Sequence, residues 1–197
     1  MESSAGRVND RVILLETERV RLRRFGLDDV DRLVELDSDP EVMRWISYGQ
    51  PSPRSHYEAV VPRLLAQYGA TPLLGVWVAE TRVDHAFVGW FHLRPDRIDP
   101  DEQELGYRLR RSVWGQGLAT EVGRALVAHG FGTVGADKLS ARALVGNAGS
   151  RRVMEKCGFA LEREFTWPEE WLPGRSEDER RGVKYSLMRS QWQVPRA

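Results

Sequence analysis

The sequence predicts a single α/β domain of mixed strands and helices, and three observations predict it. Its 197 residues suit one domain better than two, because a domain usually takes ~100 to 200 residues. Apolar residues recur with period two in some segments and at helical spacing in others, and the two kinds interleave along the chain. No repeat of fixed period and no long Pro/Gly/Ser linker divides it. The 41% of hydrophobic residues can fill a sizeable core, which excludes a disordered chain.

The first strand spans Glu18 to Phe25, with Val20 and Leu22 facing inward and Arg19, Arg21 and Arg23 forming the wet face. Asp28 can cap a helix from Val30 to Leu36, and Pro40 behind Asp39 opens a short helical turn. Ser55 to Glu58 has capping-box spacing ahead of an apolar run through Leu64 and Leu65, which predicts a third helix weakened in its middle by Pro62. Leu74 to Glu80 and Ala86 to Leu93 read as a hairpin. A strand over Glu104 to Leu109 precedes a helix from Gly117 to Phe131, with Leu118, Val122, Ala125, Leu126 and His129 on one face. Leu139 to Val145 is a strand. Ser150 to Cys157 is a helix stopped by Gly158, with Phe159 packing behind the stop, and Val183 to Met188 is the last strand. Residues 1–14 are expected to be a flexible N-terminal segment, and Trp167 to Gly182 a long surface loop.

Composition excludes several classes of function. Lys plus Arg (29) equals Asp plus Glu (29), so no global field draws the chain to nucleic acid or to an anionic membrane. No apolar run approaches the ~20 residues that span a bilayer, and Met1 to Arg7 lacks the apolar stretch of a secretory signal, so a cytoplasmic protein is expected. One cysteine excludes an internal disulfide framework, and His56, His85, His92 and His129 lack metal-ligand spacing, so no metal is expected. Cys157 itself lies on the apolar face of a helix with no histidine nearby in sequence, and reads as packing, not as a nucleophile.

The most informative local feature is a strand, then Arg110-Arg111-Ser112-Val113-Trp114, then Gly115-Gln116-Gly117-Leu118-Ala119-Thr120 opening an amphipathic helix. Glycines let a ligand approach the backbone, and the free N–H groups of a helix start favour a phosphate. A helix that merely begins with two glycines is the other reading. No Lys-Ser/Thr pair follows, which excludes an ATP P-loop. Gly130-Phe131-Gly132-Thr133-Val134-Gly135 matches the dinucleotide fingerprint in letters only. It follows a helix and precedes a strand, the reverse of what that site needs, so these glycines read as a helix stop.

Four segments run in order over most of the chain: Thr17-Glu18-Arg19-Val20-Arg21-Leu22-Arg23, then Glu104-Leu105-Gly106-Tyr107-Arg108-Leu109, then Trp114 to Glu121, then Asn147-Ala148-Gly149-Ser150 running into Glu155-Lys156-Cys157-Gly158-Phe159. In these the sequence resembles the GCN5-related N-acetyltransferase (GNAT) superfamily, and within it the RimJ and RimL type branch. It departs from the wider pattern at Trp114, where Gln or Arg is usual, and at Gly182, three positions before Tyr185, where relatives often carry Asp.

The resemblance implies a central bent mixed sheet, splayed between two parallel strands, with helices on both faces. It implies an acyltransferase that moves acetyl from acetyl-CoA directly to a primary amine. The acceptor is a protein N-terminus, an amino acid or small amine, or an aminoglycoside-like compound, and a homodimer is compatible with the branch. The pantetheine would lie along Tyr107 and Leu109 and against Asn147. The pyrophosphate would lie on the amides of Gly115, Gln116, Gly117, Leu118, Ala119 and Thr120, helped by Arg110, Arg111 and Arg152.

Acetyl transfer to an amine needs a base, donors to the acyl oxygen and a proton for the leaving thiolate. By the resemblance Glu104 is the base, acting through a water with its pKa raised by burial, and Glu102 stands in reserve. Ser150 would protonate the thiolate, although Asn147 and Ser150 are also ordinary helix caps. Trp77, Trp90 and Trp192 read as packing, while Trp45, Trp167 and Trp171 fall where relatives bind the acceptor, and Trp90 also counts among the substrate-side candidates. Beside Glu169 and Glu170 the loop aromatics would suit a cationic amine. Two rival readings stand alongside: a non-catalytic acyl-CoA-binding regulatory module of the same fold, and a nucleic-acid binder using Arg19 to Arg24.

Overall fold

The computed structural model describes residues 12–193. Its strands are β1 (Ile13–Glu16), β2 (Val20–Arg23), β3 (Gly75–Thr81), β4 (Phe87–Pro95), β5 (Gln103–Leu109), β6 (Lys138–Leu144), β7 (Ala160–Thr166) and β8 (Arg181–Met188). Its helices are α1 (Val30–Ser38), α2 (Pro40–Met43), α3 (Arg54–Ala70), α4 (Leu118–His129) and α5 (Ala148–Lys156). The strands form one sheet in the order β1-β2-β3-β4-β5-β6-β8-β7. Every neighbouring pair is antiparallel except β5 and β6.

Side chains alternate across each strand, so the sheet carries a core on each face. Under α4 and α5 lie Val20, Leu22, Trp77, Phe91 and Leu139 with Val122, Leu126 and Phe131. On the opposite face α1, α2 and α3 cover Phe25, Val78 and Phe87 with Leu33, Leu36, Val42 and Val61.

Local signals behave as the chemistry dictates at most boundaries. Asp39 caps α2 by accepting from Glu41 N at 2.9 Å, with Pro40 at the first helical position. Gly158 takes φ 94, and the backbone N–H groups of Gly158 and Phe159 close on Glu155 and Met154. The helix of α4 ends in a π-helical turn, Gly130–Val134, and Gly135 takes φ 83, so these glycines stop a helix as expected.

Several expectations are corrected. The expected wet face of Arg19, Arg21 and Arg23 holds at Arg19, which is exposed, but Glu80 draws in Arg21 to half-buried, and Asp29 and Glu80 bury Arg23. Arg23 is buried, donating to both Asp29 carboxylate oxygens at 2.9 Å and to Glu80 at 2.7 Å, while Arg21 pairs with Glu80. Burial pushes Glu80 up, but Arg23 and Arg21 outweigh it and hold its pKa below the ordinary 4.5. Ahead of α1 a 3-10 turn over Leu27–Asp29 intervenes, and Asp29 accepts from Gly26 N at 2.8 Å. The third helix begins at Arg54 behind Pro53, without the Ser55 capping box, and runs unbroken past Pro62, because Tyr57, Val61 and Tyr68 are buried on either side of it. Strands β1 and β7 had no sequence counterpart. Ile13 and Leu14, assigned to a flexible segment, belong to β1, while residues 1–11 of that segment lie outside the described residues. The 167–182 loop holds a 3-10 turn, Glu169–Trp171, and its last two residues start β8.

Two outcomes follow from this packing. Arg23→Ala removes the cation between two buried carboxylates and should cost about 3–5 kcal/mol in urea unfolding. Because Glu80 is lowered on folding, its contribution is present above pH 4.5 and is lost as the pH falls through its folded value, and Arg23→Ala should flatten that acid limb. Helices α4 and α5 meet where a Cβ on Gly123 would lie 2.7 Å from Cys157 Sγ. Gly123→Ala should therefore destabilise by about 1–3 kcal/mol despite alanine's better helix propensity, and Cys157→Ala in the same chain should restore most of it.

Candidate active site

The site begins where two strands part. β5 and β6 pair only at Gln103↔Leu139 and Glu104↔Ser140. Beyond those pairs β5 stays with β4 as far as Gly89↔Leu109, and β6 stays with β8 as far as Leu144↔Gly182. Gly89 permits the close approach of β4 to the end of β5, since at φ 146 an added Cβ would lie 2.1 Å from the Arg108 carbonyl. The wedge opens into a cavity of about 290 Å³ between Leu105, Gly106 and Tyr107 on one wall and Ala141 to Leu144 on the other, closed by Asn147, Ser150 and Met154.

At one end of the wedge stands the start of α4. Gly115 and Gly117 take φ 74 and 81, no side chain caps the helix, and the space around Gly115 is open to 4 Å. The first N–H groups of a helix have no partner within it, so the segment from Gly115 to Thr120 presents unsatisfied donors and a partial positive charge. The only acid of the first turn, Glu121, is turned aside: it accepts from Thr17 Oγ1 at 2.6 Å, Arg19 N at 2.9 Å and Arg19 Nε at 2.6 Å. Arg19 also donates to the Gln116 carbonyl at 3.0 Å, which fastens the loop to the start of β2. Arg110 is not brought to this loop. It pairs with Glu35 and stacks over Phe87 on the opposite face. Arg111 and Arg152 are exposed, and the Leu109 carbonyl accepts from the Trp114 indole at 2.9 Å.

Midway, Asn147 caps α5 by accepting from Ser150 N at 3.1 Å, so Asn147 has the cap role and Ser150, expected as a cap too, lies inside the first turn. The Ser150 hydroxyl meets the phenol of Tyr107 across the wedge, and burial pushes Tyr107 up to about 12. Cys157 borders the same cavity with its thiol pushed up by burial to about 11, which leaves it protonated and unreactive near neutrality.

Beyond the closed end of the wedge lies the acid-base group. Glu104 faces Arg94 across the β4–β5 ladder at 3.4 Å, and its carboxylate is 3.5 Å from His92 Nε2. The imidazole lies over Gly106, where a Cβ would come within 2.6 Å of it. Burial pushes Glu104 up, but His92 and Arg94 prevail and hold its pKa below the ordinary 4.5, the opposite of the expected rise. His92, buried, is pushed below 6.5 and stays neutral at pH 7. The sequence reading missed His92, and the only signal for it was the β4–β5 register. Glu102 is spent elsewhere, on Lys184 at 2.9 Å and Lys138 at 2.8 Å. Among the described residues Asp96, Asp99 and Glu102 form the one acidic group of metal-ligating spacing, and Arg142 and Lys184 already neutralise it.

All four substrate-side tryptophans reach the cavity. Trp90 stacks on His92 at 5.8 Å, Trp167 on Trp171 at 5.4 Å, and Trp45 packs against Gly146. The turn after Trp45 and the loop after Trp171 are joined to each other, because the Tyr48 hydroxyl donates to the Glu179 carbonyl at 2.6 Å and Arg175 sits 3.7 Å from the Tyr48 ring. The charged residues that share a lining with Trp167 and Trp171 are Arg94, Asp96, Arg97, Glu104 and Arg142, not the exposed Glu169 and Glu170 of the sequence reading.

Comparison with known proteins agrees with this architecture. Residues 19–160 match the model of the acetyltransferase (GNAT) domain. The chain is 31% identical over 186 residues to the FsC-acetyl coenzyme A-N(2)-transacetylase of Aspergillus fumigatus, covering 90% of this chain and 77% of that protein. In fold it resembles a GNAT-family acetyltransferase from Bacillus anthracis, with a TM-score of 0.75 at 20% identity over 91% of this chain and 99% of that one. It also resembles RimL, the ribosomal L7/L12 alpha-N-protein acetyltransferase in complex with coenzyme A, with a TM-score of 0.73 at 18% identity over 90% and 98%. A sheet splayed at one parallel pair, an uncapped glycine-rich helix start beside the splay and a family match over most of the chain make this protein an acyltransferase of the GNAT family.

Proposed function

We propose that the protein acetylates a primary amine, with acetyl-CoA lying in the wedge between β5 and β6. The observation that carries this reading is the placement of opposite chemical needs on the two sides of one wedge: Glu104 and His92 at its closed end, Ser150 and Tyr107 across its middle, and free helix N–H groups at its mouth. The residues fit the cofactor. Gly115 to Thr120 would hold the pyrophosphate through backbone donors and the helix dipole, so a chain of zero net charge needs no global field to bind an anion. Asn147 and the unpaired edges of β5 and β6 would hold the pantetheine.

When bound, acetyl-CoA supplies an acetyl group activated as a thioester. The chain's own residues then handle protons and charge. Glu104, anionic beside Arg94, would take the amine proton through a water or through the neutral His92 that it faces. Unpaired N–H groups of the β5 edge beyond Glu104 would stabilise charge on the acyl oxygen. Ser150 would give its proton to the leaving sulfur, and the proton that Glu104 took from the amine would return to Ser150 through solvent, which closes the balance. Cys157, protonated and packed against Gly123, takes no part, so transfer is direct.

Three results test this. Acetyl-CoA, unlike ATP or NAD, should raise the melting temperature, since a ligand at one hundred times its Kd stabilises the folded state by about 2.7 kcal/mol. In an assay of free-thiol release, Glu104→Gln should lower kcat about 10²-fold or more with folding intact by circular dichroism. Both acid-base groups are lowered on folding, so the base stays deprotonated below pH 6.5, and the acid limb of kcat should lie below that value in the parent. A kcat unchanged in Glu104→Gln would remove the assigned base.

A further inference from the structure

Beyond Glu104 the cavity continues into a second space of about 190 Å³, and Glu104, Arg142, Trp167 and Trp171 border both. Its remaining walls include Arg94, Asp96 and Arg97, which makes three cations against two carboxylates. Both carboxylates are already engaged. Asp96 accepts from Ile98 N at 2.8 Å, Asp99 N at 3.1 Å and Ser140 Oγ at 2.7 Å, and it pairs with Arg142. Glu104 faces Arg94 and His92.

The guanidinium groups, by contrast, have donors to spare. Arg142 is 1% exposed, and its Nε has no hydrogen-bond partner. Arg94 Nε is likewise buried without one. Arg142 pairs with both Asp96 and Asp99, and burial pushes it down to about 10 all the same. Arg97 stacks on Trp171 at 4.9 Å, and no ion pair is formed by it among the described residues. A guanidinium without an acceptor, such as Arg97 at the wall of this partly closed space, gains one from an incoming oxyanion. Arginine presents its donors in a planar fork that matches a carboxylate.

We propose that the acceptor is an amine that carries a carboxylate, with the amine at Glu104 and the carboxylate in the space bordered by Arg94, Arg97 and Arg142. This rests on the amine-acetylation reading above and narrows it. Trp167 and Trp171 cover the body of the acceptor, and Arg97, the arginine of this lining without an ion pair among the described residues, repels a polycationic aminoglycoside-like compound. Among the acceptor classes compatible with the family resemblance, the pocket selects amino acids and their close derivatives.

The experiment uses pairs of primary amines identical except that one bears a carboxylate and the other the corresponding carboxamide, with acetyl transfer followed by free-thiol release. The carboxylate member should be favoured in kcat/KM by about tenfold or more, as charge-assisted bonds exceed neutral ones. In Arg97→Gln, an exposed position that folding tolerates, the carboxylate-to-carboxamide ratio should fall about fivefold or more. Equal or reversed use of the two members, or an unchanged ratio in Arg97→Gln, overturns the proposal while leaving amine acetylation intact. If no amine in the panel is acetylated although acetyl-CoA stabilises the fold, the acetylation reading fails instead. Binding of the two N-acetylated products, read by quenching of tryptophan fluorescence, then decides the pocket separately: tighter carboxylate binding upholds it, and equal binding ends it.

Discussion

Two backbone pairings between β5 and β6 set everything else in the site. Had the strands stayed together, the sheet would have no gap and α5 no wall to face. The closed end is fastened by charge: Lys184, buried in β8, bridges Asp99 at 2.7 Å and Glu102 at 2.9 Å, and Arg142 of β6 reaches Asp99 at 2.6 Å. Three segments are thereby tied at a single point, the β4–β5 turn, β6 and β8. A buried ionic cluster of this kind contributes little net stability, yet it fixes one geometry, because any other arrangement strands a charge. Past it, the Tyr107–Ser150 contact is the polar link from β5 to α5.

The two ends of the cleft use different physics. At the cofactor end the work is done by backbone, with a helix start left uncapped and its one acid drawn away by Thr17 and Arg19. At the end proposed for the acceptor it would be done by side chains, arginines and two carboxylates set among indoles in a partly closed space where charges act at low dielectric. The same residue type therefore serves three purposes. Arg19 positions a loop, Arg23 neutralises two buried carboxylates, and Arg142 joins an acid cluster while lining the cavity.

Elements with strong periodicity were legible from the sequence, and so was the glycine-rich helix start, because each is decided by neighbours in the chain. The hairpin of β3 and β4, helix α4 and the Gly158 stop all fall within a few residues of their expected bounds. What escaped was decided across the fold. β7 lies at a sheet edge with every residue but Phe165 exposed, so it has no alternation to read. His92 resembles any strand histidine until the register sets it beside Glu104 and over Gly106. The arginines of β2 alternate as a solvated face would, and only Asp29 and Glu80, 6 and 57 residues away from Arg23 in sequence, reveal Arg23 as buried and Arg21 as half-buried. Glu102 and Glu104 are two residues apart and looked interchangeable, yet Lys184 claims one and the cavity the other.

The two segments that line the cavity through Trp45 and Leu172 are tied to each other by Tyr48 and Glu179, positions 131 residues apart in the chain, and neither contributes to the glycine-rich helix start. Lengthening, trimming or recolouring those two loops would change what amine is admitted while the acetyl donor meets the same backbone as before. A lineage built on this plan can thus diversify its clientele by drift in two surface segments, keeping the reaction itself out of reach of that change.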